Sequence, residues 1–182
     1  MSMFSGRLLA CMLVLVALSC GPAWSQDTGG ATGQSPGLRV FKAANCAGCH
    51  HWTGTGGGGY GGASADLRAT QLTTEQIIET IRCGRPGTGM PHFERDAYTD
   101  GRCFNLKAED LAKDQMPPEP DHFLRPSEIQ VVASYVVEQL QGKGEATFAE
   151  CQAFFGAQTR ACDNYRKAES SEGASDAPAS QH

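Results

Sequence analysis

Cys46, Cys49 and His50 stand in the run Cys46-Ala47-Gly48-Cys49-His50. Two thiols two residues apart can each bond to one former vinyl group of a porphyrin, and the adjoining imidazole is then left just beneath the iron. This spacing is the attachment site of a c-type haem, with Cys46 and Cys49 as the covalent links and His50 as proximal ligand. Other chemistries compete for the same residues. A thioredoxin-like redox pair needs a strand-to-helix βαβ setting, and none is readable around residue 46. A zinc site needs a second close pair of ligands, and Cys83, His92 and Cys103 are too scattered to form one. The plain alternative is a chance occurrence, which an exported chain makes the weaker reading.

Export is expected from the N-terminus. Arg7 is the only charge before Asp27, and Leu8 to Leu18 is an apolar run closed by Ser19-Cys20-Gly21-Pro22. That is the form of a signal peptide, residues 1–25, and it is short for a membrane span. Ala23-Trp24-Ser25 resembles a small-x-small cleavage site, which would leave Gln26 at the new terminus. Ala17-Leu18-Ser19-Cys20 resembles a lipobox, which would make Cys20 a lipid anchor. The soluble product is the expectation, because a lipobox usually has Leu where Ala17 stands. Either route delivers the chain to the periplasm.

After such a leader 14 basic and 20 acidic residues remain. That balance argues against nucleic acid and against an anionic membrane surface, and it permits steering toward a basic patch on a protein partner. Of eight cysteines, Cys11 and Cys20 fall in the leader and Cys46 and Cys49 in the motif. The even remainder in an exported protein reads as two disulfides. Three connectivities are open, and the local pairs Cys83–Cys103 and Cys151–Cys162 are expected.

The elements that must position these groups read as short and mostly helical. Residues 26–36 are a Gly, Thr, Ser and Gln linker. Leu38, Val40, Phe41 and Ala44 begin a helix that delivers the cysteines and His50. Thr53 to Gly62 is nearly all glycine, a composition that predicts neither helix nor strand. It lacks the Lys-Ser/Thr and the βαβ unit of a phosphate loop, and reads as a loop packed close to the haem. Thr73 and Gln76 form a capping box for a helix carrying Ile77, Ile78 and Ile81 and ending at Cys83-Gly84. Arg85 to Leu124 is irregular and long enough to imply a function. Pro126 opens an amphipathic helix with Ile129, Val132, Ala133, Val136, Val137 and Leu140 at helical spacing. Thr147 and Glu150 cap a further short segment bearing Phe148, Phe154 and Phe155. The domain is thus residues 37–141, followed by an extension (142–167) and a Ser, Ala, Glu and Asp tail (168–182) expected to be disordered.

An early Cys-x-x-Cys-His helix, a middle helix, an irregular Met-bearing loop and a final amphipathic helix resemble the class I cytochrome c family over about residues 37–141. The resemblance implies an all-α fold of three to five short helices around one covalently bound haem c, here with a long insert and a disulfide-stapled C-terminal extension. It implies that Gly37 and Phe41 cross the last helix near Tyr135. Four-helix-bundle cytochromes are the nearest alternative, but they carry the motif near the C-terminus. It also implies a methionine as distal iron ligand. Arg85-Pro86-Gly87-Thr88-Gly89-Met90-Pro91 looks like the family's distal loop, and its glycines and Pro91 would let the backbone approach and fix its direction. Met116, in Gln115-Met116-Pro117-Pro118, is the rival, and either methionine could instead be core filler. His92 and His122 are bis-histidine alternatives, whereas His51 reads as a surface residue. Trp52 and Tyr60 either edge the haem or simply pack.

The function implied is a periplasmic one-electron carrier rather than an enzyme, with redox proteins as partners and both axial positions filled. The Met90 loop, the Cys103-bearing insert and the Glu150-Cys151-Gln152-Ala153-Phe154-Phe155-Gly156 tail look like periplasmic cytochromes that accept electrons from quinoprotein alcohol or methanol dehydrogenases. One alternative is a fixed haem subunit of a membrane-associated oxidoreductase complex. Another is a haem enzyme or gas sensor with a displaceable distal ligand.

Overall fold

The computed structural model describes residues 34–59 and 62–166. The signal peptide, Cys20, Tyr60 and the tail from Ala168 lie outside the described residues. The first helix, α1 (Pro36–Ala43), begins where two local rules meet. The Ser35 hydroxyl caps it by accepting from the Leu38 N–H at 3.2 Å, and Pro36 fills a first-turn position where no N–H is required. Ser35 and Pro36 therefore belong to the helix start and not to the linker expected over 26–36.

The single helix expected to deliver the cysteines is in fact two pieces. After Ala44 the chain turns through Asn45 in the left-handed region (φ 57°), and the motif forms its own short helix, α2 (Cys46–His50). Asn tolerates that conformation better than other side chains do, because its amide can bond locally. The glycine run also departs from expectation. Gly57–Gly59 (β1) pairs antiparallel with Gly62–Ser64 (β2), with Gly57 opposite Ser64. A hairpin this short rests mainly on main-chain bonds, so side-chain propensity does not forbid it. The Ser64 hydroxyl donates to the Cys49 and Gly57 carbonyls and ties the hairpin to the motif.

α3 (Thr74–Cys83) carries the expected capping box: Gln76 N–H donates to the Thr73 hydroxyl at 3.3 Å, and Thr73 N–H donates to the Gln76 side chain at 2.9 Å. Residues 85–124 are irregular apart from a 3₁₀ turn at Ala108–Asp110. They are nevertheless pinned. A disulfide joins Cys83 to Cys103, and around it Ala97 and Tyr98 form a small buried cluster onto which Leu106, Leu111 and Met116 pack. The Tyr98 hydroxyl donates to the Cys83 carbonyl at 2.8 Å.

α4 (Pro126–Tyr135) runs on as a π turn over Val136–Leu140, so the apolar face read from the sequence is continuous but wider-wound at its end. The main core lies where α1, α3 and α4 meet: Phe41, Ile77, Ile81, Ile129, Val132 and Leu140 are all buried. Each such side chain contributes about 1.5–3 kcal/mol relative to exposure. A Cβ on Gly37 would overlap the Val131 carbonyl and the Tyr135 Cβ, and Phe41 meets the Tyr135 ring at 5.3 Å between centroids. This is the α1–α4 crossing that the resemblance implies. α5 (Phe148–Phe155) is capped by Thr147 and stapled by a disulfide between Cys151 and Cys162. Among the described residues no helix is long and apolar enough to cross a membrane.

Candidate functional site

The motif presents its three reactive groups from a single turn of helix. Cys46 and Cys49 are half-buried and take no part in the disulfides, which pair the other described cysteines. Cys46 packs against the core beside Ala47, and burial pushes its thiol up to about 12, the neighbouring Cys49 adding to the effect against its own main-chain hydrogen bond. A thiol held neutral is the opposite of the activated thiolate that a thioredoxin-like pair needs. Nor do three or more His, Cys, Asp or Glu side chains gather anywhere among the described residues as a metal cluster would require.

His50 is oriented from behind. Its Nδ1 lies 2.9 Å from the Ala65 carbonyl oxygen. A carbonyl can only accept, so Nδ1 carries the proton and Nε2 keeps its lone pair. Burial lowers the pKa of the imidazole, outweighing the Ala65 bond, with the charges of Arg85 and His51 acting in the same direction as burial. The ring is therefore neutral near pH 7, with one nitrogen anchored and the other keeping its lone pair. Leu67, Leu72, Ile78 and Val137 are half-buried and pack on the same core as Cys46 and Ala47.

Met90 sits on a loop closed upon itself. Arg85 N–H donates to the Met90 carbonyl at 3.3 Å, Met90 N–H to the Thr88 hydroxyl at 3.2 Å, and that hydroxyl to the Arg85 carbonyl at 2.8 Å. Gly84, at φ 64°, lies so near the Met90 carbonyl (2.6 Å from an added Cβ) that no other residue fits there. The Met90 side chain is half-buried. Met116 is placed differently, in the disulfide cluster with Cys83, Tyr98 and Cys103.

The histidine alternatives are spoken for or turned outward. His92 is buried, its Nδ1 3.0 Å from the Glu94 carbonyl and its ring against Phe123 and Tyr98. His51 and His122 are exposed. Trp52 joins an aromatic cluster with Phe154, Phe155 and Tyr165 of the C-terminal extension. The residues that sequence reasoning missed are Ala65 and Arg68. A backbone carbonyl has no sequence signature, and a lone Arg between Leu67 and Ala69 gives no sign of burial.

Against known proteins, residues 33–108 match the family described as cytochrome C oxidase, cbb3-type, subunit III. This match supports a class I, mono-haem c-type cytochrome. No curated protein and no solved structure matches it. The cytochrome binds one covalently attached haem c, and the mostly helical architecture agrees with that fold. The matched span holds the motif, the glycine hairpin, α3 and Met90, and it stops before α4 and the extension. Cytochrome c domains of this kind pass single electrons.

Proposed function

We propose that this cytochrome is a periplasmic one-electron carrier in which Cys46 and Cys49 bind the haem, His50 is the proximal ligand and Met90 the distal one. Bound here, the haem iron would supply a ferric/ferrous couple, its potential raised by a soft sulfur ligand. The carrying observation is the His50–Ala65 hydrogen bond, which fixes the tautomer that leaves Nε2 as a ligand. Met90 is favoured over Met116 because its backbone is held open to approach by a self-closed loop, whereas Met116 fills a core of its own. The flanking residues do the rest. Leu67, Ile78 and Val137 exclude water, and the neutral His50 keeps its lone pair available through the physiological range. Redox proteins are the partners, with a quinoprotein dehydrogenase as donor on the strength of the loop, insert and tail.

The alternative is a fixed haem subunit of a membrane-associated oxidoreductase complex, which the name of the matching family favours. Carbon monoxide tests the carrier chemistry itself. The reduced protein should bind none at neutral pH, because both axial positions are filled. Rapid stoichiometric binding would instead identify an open-site enzyme or sensor. Co-purification with membranes, in a stable complex of fixed composition, would replace the mobile carrier with the fixed subunit.

A further inference from the structure

Arg68 is the most deeply buried charge among the described residues, its side chain 5% exposed, and the assigned ligands give it no role. Burying a guanidinium costs several kcal/mol unless its donors are matched. Here they are matched by three separate stretches of chain. Nε donates to the Thr53 carbonyl, Nη1 to the carbonyls of Gly144 (3.0 Å) and Glu145 (3.4 Å), and Nη2 to Glu150 Oε2 (2.9 Å). The same Glu150 oxygen caps α5, accepting from the Thr147 N–H at 2.7 Å. The Arg68 main chain joins in, its carbonyl accepting from Gly142 N–H at 2.9 Å.

Two of these stretches belong to the C-terminal extension, outside the span that matches the family. The third, Thr53, begins the glycine-rich segment after the motif. Leu67 N–H donates to the Gly54 carbonyl at 2.7 Å, and Gly56 N–H to the His50 carbonyl at 3.1 Å. Ala65, three residues before Arg68, provides the carbonyl that accepts from His50 Nδ1. A glycine-rich segment has little stiffness of its own, so the position of that carbonyl depends on what grips the segment. Trp52, stacked among Phe154, Phe155 and Tyr165, grips it from the same extension.

We infer that Arg68 is a positioning residue through which the C-terminal extension holds the Ala65 carbonyl against His50 and thereby sets the reduction potential. The inference rests on His50 being the proximal ligand. A firm Nδ1–H···O=C bond makes the imidazole a more basic ligand, which favours the ferric state. Slackening it shifts the potential upward.

The test uses the full-length holoprotein carrying Arg68→Gln, Arg68→Lys or Glu150→Gln. Arg68→Gln should raise the potential and speed amide exchange at Gly54, Gly56 and Leu67. Arg68→Lys should recover part of both, since it keeps the charge near Glu150 but loses the fork. Glu150→Gln should shift both in the same direction by less, and it serves if Arg68→Gln does not fold. A haem still bound through His50, with potential and exchange unchanged in Glu150→Gln and in a folded Arg68 variant, overturns the inference alone. Retention of the wild-type spectrum in His50→Ala would instead remove the ligand assignment beneath it.

Discussion

Residues 85–124 and the glycine-rich segment after His50 are both irregular, and they are held still in opposite ways. The insert carries its own core: the Cys83–Cys103 disulfide, the fully buried Tyr98 and the side chains of Leu106, Leu111 and Met116. Its backbone is also laddered to α3, Phe93 N–H donating to the Ile81 carbonyl at 3.1 Å and Glu94 N–H to the Arg82 carbonyl at 3.0 Å. The glycine segment has almost no side chains to bury. It is held through Arg68 and Trp52, which tie it to the extension. An irregular segment can thus be fixed by burying its own side chains or by borrowing those of a neighbour. Only the first leaves a trace in its own composition.

The largest effect is expected at the motif itself, which the glycine segment follows directly. Replacing Cys46 and Cys49 by Ala together should abolish covalent haem, and a haem-stained denaturing gel should show no coloured band. Next come the staples. Opening Cys83–Cys103, which closes a separation of 20 residues, should cost about 3 kcal/mol, and opening Cys151–Cys162, with a separation of 11, slightly less, both read from denaturant midpoints. The two losses should differ in kind. The first disturbs the loop that begins at Gly84 and so the distal spectrum, whereas the second loosens α5 and leaves that spectrum in place.

A smaller effect isolates the insert's core from its crosslink. Tyr98→Phe removes only the hydroxyl bond to the Cys83 carbonyl and should cost about 1 kcal/mol in thermal or chemical unfolding. Smallest is a pH dependence. Burial works against the Glu94 carboxylate, but hydrogen bonds from Arg82 (2.7 Å) and Arg102 (2.8 Å) prevail and hold its pKa below 4.5. A depressed carboxylate stabilises the fold above its unfolded value and loses that contribution as pH falls through the folded one. Acid titration of stability below pH 4.5 should therefore be shallower in Glu94→Gln than in the wild type.

Much of this molecule was readable in advance, for identifiable reasons. The capping boxes at Thr73 and Thr147 are local hydrogen-bond patterns, and the structure makes both. The apolar spacing from Ile129 to Leu140 marks the face that meets α1, although spacing alone could not show the π turn at its end. The break at Asn45 was missed because the apolar pattern runs through it, while a single left-handed residue resets the chain. The hairpin was missed because glycine has no strand propensity, and pairing there is set by main chain and by Ser64. Arg68 was missed because burial of a charge depends on partners 76 to 82 positions away.

The same contrast bears on the proposed distal ligand, since Met90 lies on the self-closed loop after Gly84 and Met116 packs on the insert's own core. The most direct measurement is the ferric absorption spectrum of Met90→Ala beside Met116→Ala, read at the weak thioether-to-iron charge-transfer band. That band should vanish in Met90→Ala and persist in Met116→Ala, the latter losing only stability. Persistence in Met90→Ala together with loss in Met116→Ala would contradict the account.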